Sequence, residues 1–233
     1  MSDSIAILAG GMATRLGDLV KDTPKSMLTV ADHPFVHHQL LWLHTEGIRN
    51  VVMCVGHHGE KIQEFVGDGS KYGMRVSFSY DGQSLVGTGG AVKKALPLLG
   101  NEFFTIYGDT YLNVSFNKIR YDFCQFEAPD GIMTIYKNNK DFCNSNVKYI
   151  DFRIKKYSKT PDTDMHHMDY GLSLFRKKAF DKIDLETFDL SVAHNSLISE
   201  GQLGAFEVDE RFYEIGTENG LIETDAYLRS KNV

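Results

Sequence analysis

No stretch of this chain approaches the roughly 18–20 apolar residues of a bilayer-spanning helix, and no basic segment leads into a shorter apolar run near Met1. Neither a membrane span nor a secretory signal is therefore expected. Cysteine is scarce: Cys54, Cys124 and Cys143 show neither C-x-x-C nor metal-ligand spacing. That excludes a disulfide framework and points to reduced thiols in a cytoplasmic protein. Positive charge is also in deficit, with 25 Lys and Arg against 31 Asp and Glu and a net charge of −6. Without a global basic field the chain has nothing to gather a nucleic-acid backbone, so any phosphate must be held by a few local cations. There is no repeat, low-complexity tract or linker. What remains is a chain of 233 residues that is 42% hydrophobic and 12% aromatic, enough for a sizeable core. One decorated α/β domain over residues 1–233 is the expectation, with a change of pattern near residue 115.

The hydrophobic pattern supports that division. Strands are expected at Ile5–Leu8, Val51–Val55, Arg75–Tyr80 and Phe103–Tyr107, with helices at Pro34–His44, Glu60–Val66 and Gly90–Leu99 between them. Such alternation implies parallel strands joined by crossover helices, and a ligand site at the strands' carboxyl ends. Beyond residue 115, Gly131–Lys137, Val147–Ile154 and Met168–Phe175 read as strands of an antiparallel or mixed extension. Lys177–Ile183, Leu190–Ser199 and Glu218–Ser230 read as helices.

Three short segments fall at expected strand ends. Ile5–Leu8 runs through Ala9 into Gly10-Gly11-Met12-Ala13-Thr14-Arg15, with Pro24-Lys25 shortly after. Free N–H groups in a glycine turn form an anion nest, and Arg15 and Lys25 can close on polyphosphate oxygens. No Gly-Lys-Ser/Thr closes the loop as in a P-loop, and the third glycine of the dinucleotide fingerprint is missing. On the glycines alone an ordinary strand-to-helix turn accounts for the segment equally well. Gly108-Asp109 follows the strand Phe103–Tyr107, where a carboxylate could hold Mg²⁺ against phosphate or merely cap a turn. Gly87-Thr88-Gly89-Gly90 would let a flat ligand approach the backbone, or simply begin a helix. The nine histidines read mostly as partly exposed polar residues, and Pro34 separates His33 from His37.

Taken in order, Leu8–Leu16, Pro24-Lys25, Gly87-Thr88-Gly89-Gly90-Ala91, Gly108-Asp109, Asp169-Tyr170-Gly171 and Ile215-Gly216-Thr217 resemble the sugar-1-phosphate nucleotidyltransferases. The short bacterial D-glycero-D-manno-heptose 1-phosphate guanylyltransferases are the group most similar, and the resemblance spans the whole chain. It implies a glycosyltransferase-A-like fold: a mostly parallel, Rossmann-like sheet flanked by helices, with a mixed or antiparallel sugar-binding extension, so that residues 1–115 would form the nucleotide-binding half and 116–233 the sugar-phosphate-binding half. It implies a nucleoside triphosphate (GTP favoured) and a sugar 1-phosphate as partners, and Mg²⁺ as cofactor. Leu8, Ala9, Gly10, Gly11 and Thr14 would lie against the nucleotide, Arg15 on its β- and γ-phosphates and Lys25 on the phosphate that is attacked. Gly87, Thr88 and Gly89 would line the base. Lys159 would contact the sugar phosphate, and Asp169, Tyr170 and Gly171 would face the sugar. Asp109 and Glu214 would hold the metal. The chain departs from the family pattern at Ala13, Ser26, Leu85 and Glu214, where glycine, proline, proline and aspartate are usual. CTP or UTP with another sugar phosphate is the runner-up substrate pair; a silent, nucleotide-sugar-sensing relative is the second reading, and a nicotinamide oxidoreductase a distant third. The oligomeric state stays open.

Overall fold

The computed structural model describes residues 4–11, 23–125, 129–138, 144–160 and 162–231. The first strand, β1 (Ser4–Leu8), is buried at every position. It lies between two parallel neighbours, so both of its faces are covered and the sequence reads as one apolar run. After it come the short strands β2 (Thr29–Val30) and β3 (His33–Pro34), helix α1 (Phe35–Thr45), strand β4 (Asn50–Val55), helix α2 (Gly59–Val66), strand β5 (Arg75–Tyr80), helix α3 (Gly87–Ala95) and strand β6 (Glu102–Tyr107). Parallel pairing gives the order β6-β1-β4-β5.

The second half adds β7 (Thr110–Tyr111), α4 (Phe116–Gln125), β8 (Gly131–Lys137), β9 (Val147–Ile150), β10 (Arg153–Tyr157), β11 (His167–Arg176), α5 (Ser191–Ser199), β12 (Leu203–Val208), β13 (Tyr213–Glu214) and α6 (Glu218–Ser230). Strand β11 pairs antiparallel with both β6 and β8, so one nine-stranded sheet draws on both halves. Sequence neighbours in the strands feed opposite sides of it. Ile5, Ile7, Val51, Met53, Phe104 and Ile106 join one core with Phe35, Leu40, Ile62 and Phe116. Ala6, Leu8, Val52, Cys54 and Phe103 join the other, with Ala91, Val92, Phe180 and Leu197. This period-2 partition between helical layers makes an α/β/α sandwich.

Several elements differ from the sequence expectation. The run Val147–Ile154 is two strands: the chain reverses at Asp151 and Phe152, both left-handed (φ 51° and 58°), and β9 pairs antiparallel with β10. Positive φ at both central residues suits a two-residue hairpin, but the usual Asn-Gly signal is absent. Only Lys177–Phe180 of the expected helix Lys177–Ile183 is helical, as one 3₁₀ turn. That single turn suffices to set Phe180 against Phe103 and Phe175. Helix α3 begins at Gly87, earlier than expected, and gives way to a 3₁₀ turn at Leu96–Leu98 containing Pro97. Helix α4 was absent from the expectation although Phe116, Ile119 and Phe123 carry its stripe at helical spacing. His33 and His37 stack at 4.5 Å, because Pro34 precedes α1 rather than interrupting it.

Candidate active site

Four carboxyl-terminal strand ends converge on one cleft. Strand β1 delivers Leu8, Ala9, Gly10 and Gly11, β4 delivers Cys54, β5 is followed by Asp81, and β6 ends in Tyr107, Gly108 and Asp109. Lys25, Ser26, Leu85, Gly87, Thr88 and Ala91 complete the wall of a cavity of about 270 Å³. Parallel strands stop together at this edge, which leaves backbone groups and strand-end side chains free for a ligand. Thr14 and Arg15 lie outside the described residues.

On the cleft floor Lys25 Nζ donates to Asp109 Oδ2 at 2.6 Å, with side chains 21% and 32% exposed. The lysine comes from a 3₁₀ turn (Lys25–Met27) and the carboxylate from the end of β6, so tertiary packing alone makes the pair. Thr110 Oγ1 donates to Asp109 Oδ1 at 3.2 Å. Gln39, fully buried in α1, donates through Nε2 to the carbonyls of Tyr107 and Thr110 and so pins this corner from below.

Asp81 is a residue the motif reading passed over. Its Oδ2 lies against Gly10, so close that a Cβ there would meet it at 3.1 Å. Burial raises its pKa, opposed by the Val86 backbone and by Lys94. The signal was present: Asp81 follows a strand end, as Asp109 does.

The glycine cluster behaves differently from the expectation. Gly87 is left-handed (φ 74°), and its Cα lies against the Phe188 carbonyl. A Cβ at Gly89 would collide with the Phe188 ring, and the amides of Gly89 and Gly90 both donate to Phe188 O. The small residues thus admit the segment 186–190 of the same chain. Gly87 and Thr88 remain on the cleft wall; Gly89 is not part of it.

A second, much smaller cavity opens behind Tyr107, lined by Asp169, Gly171, Ser173, Leu190 and His194. Asp169 accepts from Tyr157 Oη at 2.9 Å and from the Gly171 amide at 2.9 Å. Burial raises its pKa, and those hydrogen bonds oppose the rise. His194, held by Ser173 Oγ at 2.9 Å, has its pKa lowered to about 3 by burial and is neutral. Tyr170 departs from the expectation that it faces a sugar: strand alternation turns it to the opposite face, where its ring meets Phe212 and Tyr136 at 1% exposure. Lys159 lines neither cavity and pairs with Asp189 at 2.6 Å.

Glu214 sits beside Asp109, because β13 pairs with β7 and the Ile215 amide donates to the Asp109 carbonyl at 3.0 Å. Its carboxylate nonetheless turns to the start of α6, accepting from the Gly216 amide and from Thr217 Oγ1 at 2.6 Å. The carboxylate expected as the second metal ligand is thus engaged by the residues that open α6. Among the described residues no three His, Cys, Asp or Glu side chains are grouped to hold a metal. Asp109 on the cleft wall fits Mg²⁺, which is commonly held by one or two carboxylates plus substrate phosphates.

Residues 5–190 match the model of the nucleotidyl transferase family, and the chain belongs to that family. It is 35% identical over 114 residues to the D-glycero-alpha-D-manno-heptose 1-phosphate guanylyltransferase of Campylobacter jejuni, covering 49% of this chain and 51% of the relative. The N-acetylmuramate alpha-1-phosphate uridylyltransferase of Neisseria meningitidis is 34% identical over 111 residues, covering 47% and 48%. The chain thus spans about half the length of the curated relatives it matches. The crystal structure of HddC from Yersinia pseudotuberculosis complexed with GMP-PN shares the fold, with a TM-score of 0.81, 20% identity and coverage of 98% of this chain and 100% of that one.

Proposed function

We propose that the protein transfers a nucleotidyl group from GTP to a sugar 1-phosphate, with D-glycero-D-manno-heptose 1-phosphate the favoured acceptor. The Lys25–Asp109 pair on the cleft floor carries the reading: a cation and a carboxylate stand together where the strand ends and the glycine turn meet. An oxygen of the sugar phosphate attacks the α-phosphorus, a new P–O bond forms, the bond to the β-phosphate oxygen breaks and pyrophosphate leaves. The nucleophile is already anionic, so the task is to bring two polyanions into line and neutralise them.

Lys25 and Arg15 meet the triphosphate, Lys159 meets the acceptor phosphate, and the Gly10-Gly11 turn presents amides to the nucleotide. Asp109 is the holder of Mg²⁺, with Glu214 next to it; the ion when bound supplies charge neutralisation at the phosphates. Asp81 bears on the base. A carboxylate accepts two parallel N–H bonds, and guanine displays adjacent donors at N1 and N2 where uracil has one imide N–H. The guanylyltransferase relative and the GMP-PN complex of the structural neighbour support the same choice.

A grid of four nucleoside triphosphates against a panel of sugar 1-phosphates, read as pyrophosphate release, tests the proposal. GTP with the manno-configured heptose phosphate should turn over fastest, and a grid with GTP as the poorest donor overturns the choice of base. Asp81→Asn should reduce the preference for GTP by about tenfold or more, the scale of one bidentate base contact. The Glu214 carboxylate, engaged at α6, favours the sensing alternative; nucleotide binding with no turnover anywhere in the grid would select it.

A further inference from the structure

Asp189 has no part in the chemistry above, yet three separate regions converge on it. From the acceptor half, Lys159 Nζ approaches its Oδ2 at 2.6 Å. From the nucleotide cleft, Thr88 Oγ1 donates to the same oxygen at 3.2 Å, while accepting from the Leu190 amide at 2.8 Å. From the start of α5, the Ser191 amide donates to Oδ1 at 3.0 Å. Burial by itself would raise the Asp189 pKa, but Lys159 and Ser191 outweigh it and lower it to about 2. Lys159 also acts electrostatically on Asp169, at the second cavity, while its own side chain is 68% exposed. A long, exposed lysine has many rotamers to lose, and a fixed carboxylate beside it confines that search before a ligand arrives.

We infer that Asp189 is a positioning residue that holds Lys159 at the rim between the nucleotide cleft and the Asp169 cavity, ready for the acceptor phosphate, and that Thr88 anchors it there. The inference rests on the acceptor role proposed above for Lys159. Asp189 touches neither substrate. Because its Oδ2 is shared between Thr88 and Lys159, the nucleotide wall and the acceptor cation are joined through one atom.

The test combines Asp189→Asn, which keeps an acceptor oxygen for the Ser191 amide, with Lys159→Ala and the double variant. Kinetics use the substrate pair of highest turnover in the grid. Asp189→Asn should raise the acceptor KM about two- to fivefold, the range of a partly exposed ion pair, and leave the nucleotide KM alone. In the Lys159→Ala background the same substitution should change the acceptor KM by less than about twofold, because the group it positions is gone. Equal effects in both backgrounds would make Asp189 merely a cap of α5 and overturn the inference alone. An unchanged acceptor KM in Lys159→Ala would overturn the inference together with the acceptor role of that lysine.

A second readout needs no substrate. Acetic anhydride should acetylate Lys159 about two- to fivefold faster in Asp189→Asn than in wild type, judged by mass spectrometry against the exposed Lys182. Identical labelling would show that Asp189 does not restrain the lysine, and would overturn the inference whether or not the grid finds an active pair.

Discussion

The two halves of the molecule build their parts of the site in different ways. In the first half, Leu8 to Gly11, Asp81 and Asp109 each follow from a parallel strand, so their positions come from the sheet itself. In the second half, Asp169 is held by Tyr157, His194 by Ser173, and Lys159 by Asp189, all through side-chain contacts between segments distant in sequence. Local sequence suffices to place a strand-end residue, because a buried strand has one register and one end. A residue held by side chains is placed only once its partners have arrived.

Perturbing the strand-end residues of the first half should therefore cost catalysis and spare the fold. Asp109→Ala should lower kcat about 10²- to 10³-fold, the scale on which preorganised charge acts, with an unchanged circular dichroism spectrum. Wild-type turnover at saturating Mg²⁺ would move the metal elsewhere. Lys25→Ala should reduce kcat/KM about tenfold to hundredfold, as expected for losing a charge-assisted contact of roughly 1.5–3 kcal/mol to phosphate. Because Lys25 also balances Asp109, the pair should be non-additive in a double-mutant cycle, and full additivity would argue that they act separately.

The second half should show itself in stability. His194 is buried and neutral, with its pKa lowered to about 3. Below pH 6.5 the unfolded chain takes up a proton there that the native state refuses until about pH 3. Stability should consequently fall with decreasing pH across that window, by at most about 1.4 kcal/mol per pH unit from this group. Urea denaturation at pH 7 and pH 5 measures it, and His194→Gln should flatten the difference. An equally steep loss in the variant would assign it to other groups.

Glu214→Gln sharpens the contrast at the seam between the halves and should have the smallest effect. If the carboxylate serves the start of α6, as its contacts with the Gly216 amide and Thr217 indicate, the amide oxygen of Gln can still accept from one of those two donors, and the amide NH2 can face the Thr217 oxygen. The expected change in kcat is then within about threefold, since replacing one acceptor by another preserves most of a hydrogen bond. A large rise in the Mg²⁺ concentration needed for turnover would restore Glu214 as a metal ligand.

Much of the first half was legible in the sequence. Buried strands announce themselves as apolar runs, and glycine and charged residues punctuate their ends; in the second half α6 is bounded as its pattern indicates, from Glu218 to Ser230. The second half was read less well. The reversal at Asp151-Phe152 lacks the glycine of a usual hairpin, and Leu203–Val208 became a strand only by pairing with β8. At the site, Leu8 to Gly11, Lys25, Gly87, Thr88 and Asp109 do meet in one cleft, while Gly89 packs on Phe188 and Tyr170 enters the core. A glycine records that something comes close; it does not record whether that is a ligand or another part of the chain.

By itself, then, the sequence determined the alternating strands and helices, the carboxyl edge where the cleft lies, and the membership of the family. Periodicity and short motifs are local, and local rules act before the chain has folded. Only the tertiary structure decided that Lys25 pairs with Asp109, that Asp81 reaches Gly10, that Glu214 turns toward α6 and that Asp189 joins Thr88 to Lys159. Each of those contacts depends on orientation as well as on residue type. A charged side chain takes whichever partner the packed backbone brings within about 3 Å, and the packing of distant segments selects it.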